Sequence, residues 1–142
     1  MSIITFFRDN HNKMTSIEAF VWSGFFQFAL HHVSMKKLQP MFGHEGEETE
    51  IKSLSESDSK EAHRISYVIN HVCSHTPWES KCLVRALTAQ RMLKKRGMMS
   101  TMYLGLAMEN EQMVAHAWIR CGDFYLTGGL GTKYTIVSRF RI

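Results

Sequence analysis

Residues 93–127, LKKRGMMSTMYLGLAMENEQMVAHAWIRCGDFYLT, contain the point where the chain changes its period. Before Gly97, Leu83, Ala86, Leu87, Gln90 and Leu93 recur at helical spacing as one inward stripe. Lys94, Lys95 and Arg96 suit the negative end of a helix dipole, and Gly97 is a good C-cap. Beyond Gly97 the period drops to about two residues, the repeat of a strand. Residues 101–108 and 113–121 are strand candidates, and 124–126 begin a third, with Gly122-Asp123 as the tight turn. The tail, 135–142, adds another strand. Helices followed by an antiparallel sheet make the fold class α+β.

Working upstream, Pro77 disfavours helix at Thr76 and suits a first helical turn, so a helix is expected from Trp78–Glu79 to Arg96. Glu79 fits the positive end of its dipole. Residues 60–74 read as an earlier helix, with Ile65, Val68, Ile69 and Val72 on one face. Residues 15–39 read as one long helix opened by a capping box, Thr15 to Glu18, and stopped by Pro40 and Gly43. Its aromatic residues, Phe20, Trp22, Phe25, Phe26 and Phe28, either pack on the core or leave a docking face. A membrane span is not expected, because Gln27, His31 and His32 break an apolar stretch that would need about 20 residues.

The 142 residues suit one domain with a hydrophobic core. The start, MSIITFFRDNHN, is not a signal peptide, so the expected location is cytoplasmic. Cys73, Cys82 and Cys121 form neither a CxxC pair nor a disulfide ladder. The net charge of +4 is unevenly spread. Residues 43–61 hold seven acids against Lys52 and Lys60, whereas 62–142 hold eleven Lys and Arg against four acids. The acidic stretch reads as a solvated linker without an obvious partner. The basic half suits an acidic peptide or protein partner; no interleaved basic–aromatic stripe supports nucleic acid. His71 and His75 flank Cys73, but a second ligand cluster at zinc-binding spacing is missing, so no metal or other cofactor is expected.

A thiol attacks as thiolate, and the start of a helix favours that form while its free N–H groups can bind an oxyanion. Cys82 lies in the first turns of its helix, whereas Cys73 lies at a helix end and Cys121 beside a hairpin turn. The thiol also needs a base. His116 stands among small and apolar neighbours in Val-Ala-His-Ala-Trp-Ile, mid-strand. A Cys on a helix facing a His on a strand is the arrangement of papain-like sites. A His buried in a core and a Cys near a helix start by chance are the plainer alternatives.

The segment TPWESKCLVRALTAQRMLKKRG, residues 76–97, closely resembles the catalytic helix of the lasso-peptide maturation proteases. In that family a Pro-Trp precedes Cys-Leu by a few residues and a basic helix end precedes Gly. Ala115-His116-Ala117-Trp118 resembles the His-Ala-Trp segment of the wider transglutaminase-like superfamily, and residues 16–43 resemble the family's leading helix. The resemblance implies a transglutaminase-like catalytic core at 61–142, after an N-terminal helical segment at 1–43 and an acidic linker at 44–60. It implies a cysteine endopeptidase that removes the leader of a ribosomally made precursor, with Cys82 as nucleophile and His116 as base. It also implies three partners: the leader peptide, a winged-helix-like protein that recognises it, and a cyclase that closes the ring. A non-catalytic binding module on the same scaffold is the rival reading, as is an amidase or acyl transferase.

The family pattern calls for an acid, or a similar group, after the His. Asp123 is the only acid soon after His116, but a seven-residue strand path separates them by about 20 Å. With Cys121 opposite Phe124, the hairpin would set Trp118 opposite Thr127 and His116 opposite Gly129. Thr127 then shares the face of His116, about where the family's third residue falls. Its hydroxyl, or a nearby carbonyl or water, can orient the ring; a plain strand residue is the alternative. Trp78 and Trp118 either wall the cleft or pack in the core.

Overall fold

The computed structural model describes residues 13–78 and 80–142. Helix α1 (Lys13–His32) is followed by a short α2 (Met35–Leu38), a 3-10 turn (Gln39–Phe42) and strand β1 (His44–Glu45). Helices α3 (Glu56–Cys73) and α4 (Cys82–Lys95) come next, then β2 (Thr101–Glu109), β3 (Gln112–Cys121), β4 (Phe124–Thr127) and β5 (Thr135–Arg141). The five strands form one sheet in the order β1-β5-β2-β3-β4, antiparallel at every pairing. The α+β reading therefore holds. No described helix is long and apolar enough to cross a membrane.

α4 is the centre of the molecule. Val84, Ala86, Leu87, Thr88, Ala89, Gln90, Met92 and Leu93 are all buried, because the helix packs against α1, α3 and one face of the sheet. The polar members of that set donate internally: Gln90 Nε2 to the Phe42 carbonyl (2.6 Å) and Thr88 Oγ1 to the Val84 carbonyl (2.7 Å). After α4, Gly97 takes a positive φ of 71° and Met98 N–H closes back on the Leu93 carbonyl, the stop expected of a C-terminal glycine.

On the sheet, Met102, Ala117, Ile119, Cys121 and Phe140 point into the helical core. Alternation sends their neighbours Tyr103, His116, Trp118 and Arg120 to the opposite, outer face. The core continues through Ala19, Phe26, Ile65 and Leu87, so the N-terminal helix and the sheet share one apolar cluster.

Three expectations need correction. The long helix breaks after His32 and resumes at Met35. Its expected capping box is absent: Lys13 and Met14, ahead of Thr15, are already helical, and the Thr15 hydroxyl instead accepts from Arg64. Glu18, released from that role, pairs with Arg96 (2.8 Å). The aromatic stripe does both things at once: Phe26 is buried, whereas Phe25 and Phe28 are exposed, as is the neighbouring Val21. The acidic stretch is not a free linker. β1 pairs with β5, and residues 47–50 lie as a strap on the outer face. Glu47 meets Arg141 (2.8 Å), Glu48 meets Arg139 (3.2 Å), and Thr49 N–H donates to Thr101 Oγ1 (2.8 Å).

Glu61 joins the helices electrostatically, accepting from Arg96 Nε (2.7 Å) and from Arg64. Burial by itself would raise the Glu61 pKa, but the hydrogen bonds and charges of the two guanidinium groups outweigh it and hold the carboxyl below its usual value. A depressed carboxylate contributes stability above its unfolded pKa, near 4.3, and loses it as pH falls through the folded value. Glu61→Gln is therefore expected to flatten the acid limb of a stability–pH curve measured by urea unfolding. An unchanged acid limb would count against this linkage.

Candidate active site

The segment before α4 is pinned by short-range bonds. Thr76 Oγ1 donates to the Trp78 carbonyl (2.8 Å) and lies 3.1 Å from Ser80 Oγ. Arg85 reaches back to the Ser80 carbonyl (3.1 Å) and across to Asn70 Oδ1 of α3 (3.3 Å). These contacts keep the chain irregular past Trp78, so the helix starts at Cys82, later than expected. Glu79 lies outside the described residues.

The later start sharpens the setting of the half-buried Cys82 thiol, which becomes the first residue of α4. The first intrahelical bond runs from Arg85 N–H to the Lys81 carbonyl (3.1 Å). The N–H groups of Cys82, Leu83 and Val84 are thus left by helix geometry without an intrahelical acceptor. Lys81, the N-cap, makes no side-chain capping bond, and the first turn carries no acid to offset the dipole. The other two thiols differ. Burial pushes Cys73 up, and burial, helped by Asp58, pushes Cys121 up to about 11. Both stay protonated near neutrality.

His116 lies on β3, paired with Gly105 of β2. Its Nε2 is 2.7 Å from the Gly128 carbonyl. A carbonyl only accepts, so Nε2 carries the proton in the neutral ring and Nδ1 keeps the lone pair of a base. Gly128 has a φ of +79°, and a Cβ there would stand 2.4 Å from the Ala117 carbonyl and 2.7 Å from Trp118 Cβ. Only glycine lets this carbonyl come so near.

The end of α4 and the end of β3 lie together, since Gly97, Met98, Cys121 and Gly122 line one cavity. Going back from there, the 14 residues of α4 rise about 20 Å, and about six strand residues cover the same length. That path carries Cys82 away from the Cys121 end of β3, toward the end that holds His116. Their side chains start from different layers, Cys82 from the helical layer and His116 from the outer face of the sheet. Among the described residues no hydrogen bond joins them.

The third residue differs from expectation in its register. Ile119, not Trp118, pairs with Thr127, and a bulge separates this pair from Arg120–Tyr125. The physical reason is Leu126. Its side chain enters the core and its carbonyl accepts from Ser66 Oγ (2.6 Å) and Asn70 Nδ2 (3.2 Å) of α3, which pulls one residue out of the ladder. Thr127 is buried opposite a core residue, and its Oγ1 has no hydrogen-bond partner among the described residues. The group on the imidazole is the next residue's carbonyl, which a side-chain reading cannot name; the run Gly-Gly-Leu-Gly at 128–131 is its one visible trace. Asp123 accepts from Ser53 (3.4 Å) at the turn.

Trp78 packs against Phe20 at 5.0 Å between centroids and against Gly24, and so serves α1. Trp118 is only 2% exposed and stacks 5.8 Å from His116. The rings of His71 and His75 stack at 4.7 Å. No group of three or more possible metal ligands occurs among the described residues.

A family model described as the transglutaminase-like superfamily matches residues 30–139, a span that includes both Cys82 and His116. No curated protein and no solved structure matches the chain.

Proposed function

This chain belongs to the transglutaminase-like superfamily, and on that premise we propose that it is a cysteine endopeptidase, cytoplasmic, that removes the leader of a lasso-peptide precursor. The observation that carries the reading is Cys82 as the first residue of an uncapped helix, together with a histidine whose Nε2 is held on the Gly128 carbonyl so that Nδ1 is the basic nitrogen of the neutral ring. The thiol gives its proton to His116 Nδ1, and the thiolate attacks the scissile carbonyl carbon. N–H groups of the first turn of α4 hold the oxyanion. His116 then protonates the leaving amine, and water hydrolyses the thioester. The Gly128 carbonyl orients the ring, with Thr127 serving as the strand end that delivers it. Trp118 floors the site, and Trp78 sets the approach to Cys82. The leader arrives through a winged-helix-like partner, for which the exposed face of Val21, Phe25 and Phe28 on α1 is a suitable contact, and the product passes to a cyclase.

The missing hydrogen bond between Cys82 and His116 favours a second reading, a non-catalytic module on the same scaffold. Such bonds are often long before substrate binds, so reactivity discriminates better than distance. Iodoacetamide at neutral pH is expected to alkylate Cys82 at least about tenfold faster than Cys73 or Cys121. Equal, slow labelling of all three selects the module. With a lasso-type precursor and its leader-binding partner, mass spectrometry is expected to show a leader ending in a free acid. A leader joined to an added amine would instead select an acyl transferase.

A further inference from the structure

Between β4 and β5 the chain crosses back over the outer face of the sheet, where Gly128 and Gly131 of the crossing and Gly105 of β2 leave room for one indole side chain. A Cβ at Gly131 would stand 2.3 Å from Trp118 Cε2, one at Gly105 2.7 Å from the far edge of the same indole, and one at Gly128 2.7 Å from Trp118 Cβ. Trp118 is thereby walled in and cannot change rotamer without moving backbone. The crossing ends at Tyr134, whose N–H bonds the Gly131 carbonyl (3.1 Å). Its neighbour Lys133 pairs with Glu109 of β2 (2.7 Å). Tyr134 is left with its ring against His116, 4.7 Å between centroids at 24°, while Trp118 lies 5.8 Å from the imidazole at 22°.

We propose that Tyr134 is a positioning residue for His116, its ring face holding the imidazole plane so that Nε2 stays on the Gly128 carbonyl and Nδ1 stays unprotonated. One hydrogen bond leaves a histidine free to rotate about χ2 and to exchange tautomers. Flat faces on the ring remove that freedom. In an acid-oriented histidine a carboxylate chooses the tautomer; here a carbonyl chooses it and a tyrosine keeps the ring there. The face of the ring is what acts, because it is the face that meets the imidazole, whereas the Tyr134 hydroxyl is turned to the exposed Lys133. The value of this placement to catalysis rests on the protease reading above; the placement itself does not.

Two readouts on the full chain test it, each on Tyr134→Leu and Tyr134→Phe. The first is the ring 15N spectrum of His116 at about pH 8, where an ordinary imidazole is neutral, recorded in a Cys82→Ala background. Wild type and Tyr134→Phe are expected to show one tautomer, protonated at Nε2, and Tyr134→Leu a mixture. The second is the rate of Cys82 alkylation by iodoacetamide, expected to fall about tenfold or more in Tyr134→Leu and to stay near wild type in Tyr134→Phe. A single tautomer in Tyr134→Leu overturns the proposal, as does a loss in Tyr134→Phe equal to that in Tyr134→Leu. If Tyr134→Leu does not fold, Tyr134→Met makes the same comparison with a flexible side chain. Should wild-type Cys82 react no faster than Cys73, the protease reading fails, and the tautomer spectra still decide the clamp.

Discussion

Cys82→Ala is expected to abolish precursor cleavage, lowering turnover by about 10⁴-fold or more, while the protein stays folded and keeps its binding to the leader-recognition partner. Removing the nucleophile of a cooperating pair removes nearly all its rate enhancement, since the remaining base and oxyanion donors have nothing to act on. The fold is spared because Cys82 is half-buried at a helix start and its sulfur makes no hydrogen bond among the described residues. A stability change under about 1 kcal/mol follows, as for most substitutions outside a core. Cys82→Ser should be nearly as inactive, because the dipole that favours a thiolate falls far short of ionising an alcohol. The readout is mass spectrometry of precursor incubated with enzyme and partner, alongside circular dichroism of each variant. Leader release by Cys82→Ala at the wild-type rate would end the endopeptidase reading.

Arg120→Leu is expected to cost about 3–5 kcal/mol of stability, the range for stripping one partner from a buried polar cluster. Arg120 is fully buried on the outer face. Its Nη1 donates to the Gly122 carbonyl (2.6 Å), its Nη2 to the Thr49 carbonyl (2.8 Å), and both Nε and Nη2 reach Tyr103 Oη (3.1 and 3.0 Å). Tyr103 in turn donates to Glu48 Oε2 (2.6 Å). Burial, and then the bond to Glu48, push the phenol up, so it keeps the proton it donates. Leucine would fill much of the space but leave three carbonyls, those of Thr49, Glu50 and Gly122, and the Tyr103 oxygen without their donor, and unpaired buried groups cost about 1–3 kcal/mol each. The melting temperature should fall by roughly 10 °C or more. The strap should also loosen, and the Thr49 N–H, bonded to Thr101, should exchange faster in deuterium oxide. Arg120→Lys keeps the charge but not the planar fork, so it should recover only part of the loss. A melting point within about 2 °C of wild type would show that the strap is held by something else.

Why one part of this molecule can be read from its residues and another cannot comes down to range. Gly97 was legible because a helix stop is local: a few consecutive residues supply both the αL position and the carbonyls it satisfies. The strands after it were legible because side-chain alternation needs no partner to declare itself. The capping box at Thr15 misled, since Arg64 and Arg96, 49 and 78 positions away from the residues they bind, claimed both its members. The acidic stretch misled for a similar reason. Its carboxylates look solvated until Arg120, Arg139 and Arg141 on the sheet are placed beneath two of them, Glu47 and Glu48. The hairpin register slipped by one because Leu126 is held by Ser66 and Asn70 on a helix 56–60 residues earlier.

At the site the same division holds. The order of helix and strand, and the presence of a cysteine near a helix start and a histidine within a strand, were determined by the sequence alone, because composition and period are properties of short windows. Tertiary structure decided the rest. It moved the helix start to Cys82 through the bonds among Thr76, Ser80 and Arg85. It turned the His116 Nε2–H to a backbone carbonyl, a group every residue carries and no residue type announces. And it laid Tyr134 over the imidazole, 18 positions along the chain, through a crossing that works only because glycine at 105, 128 and 131 leaves room for one indole.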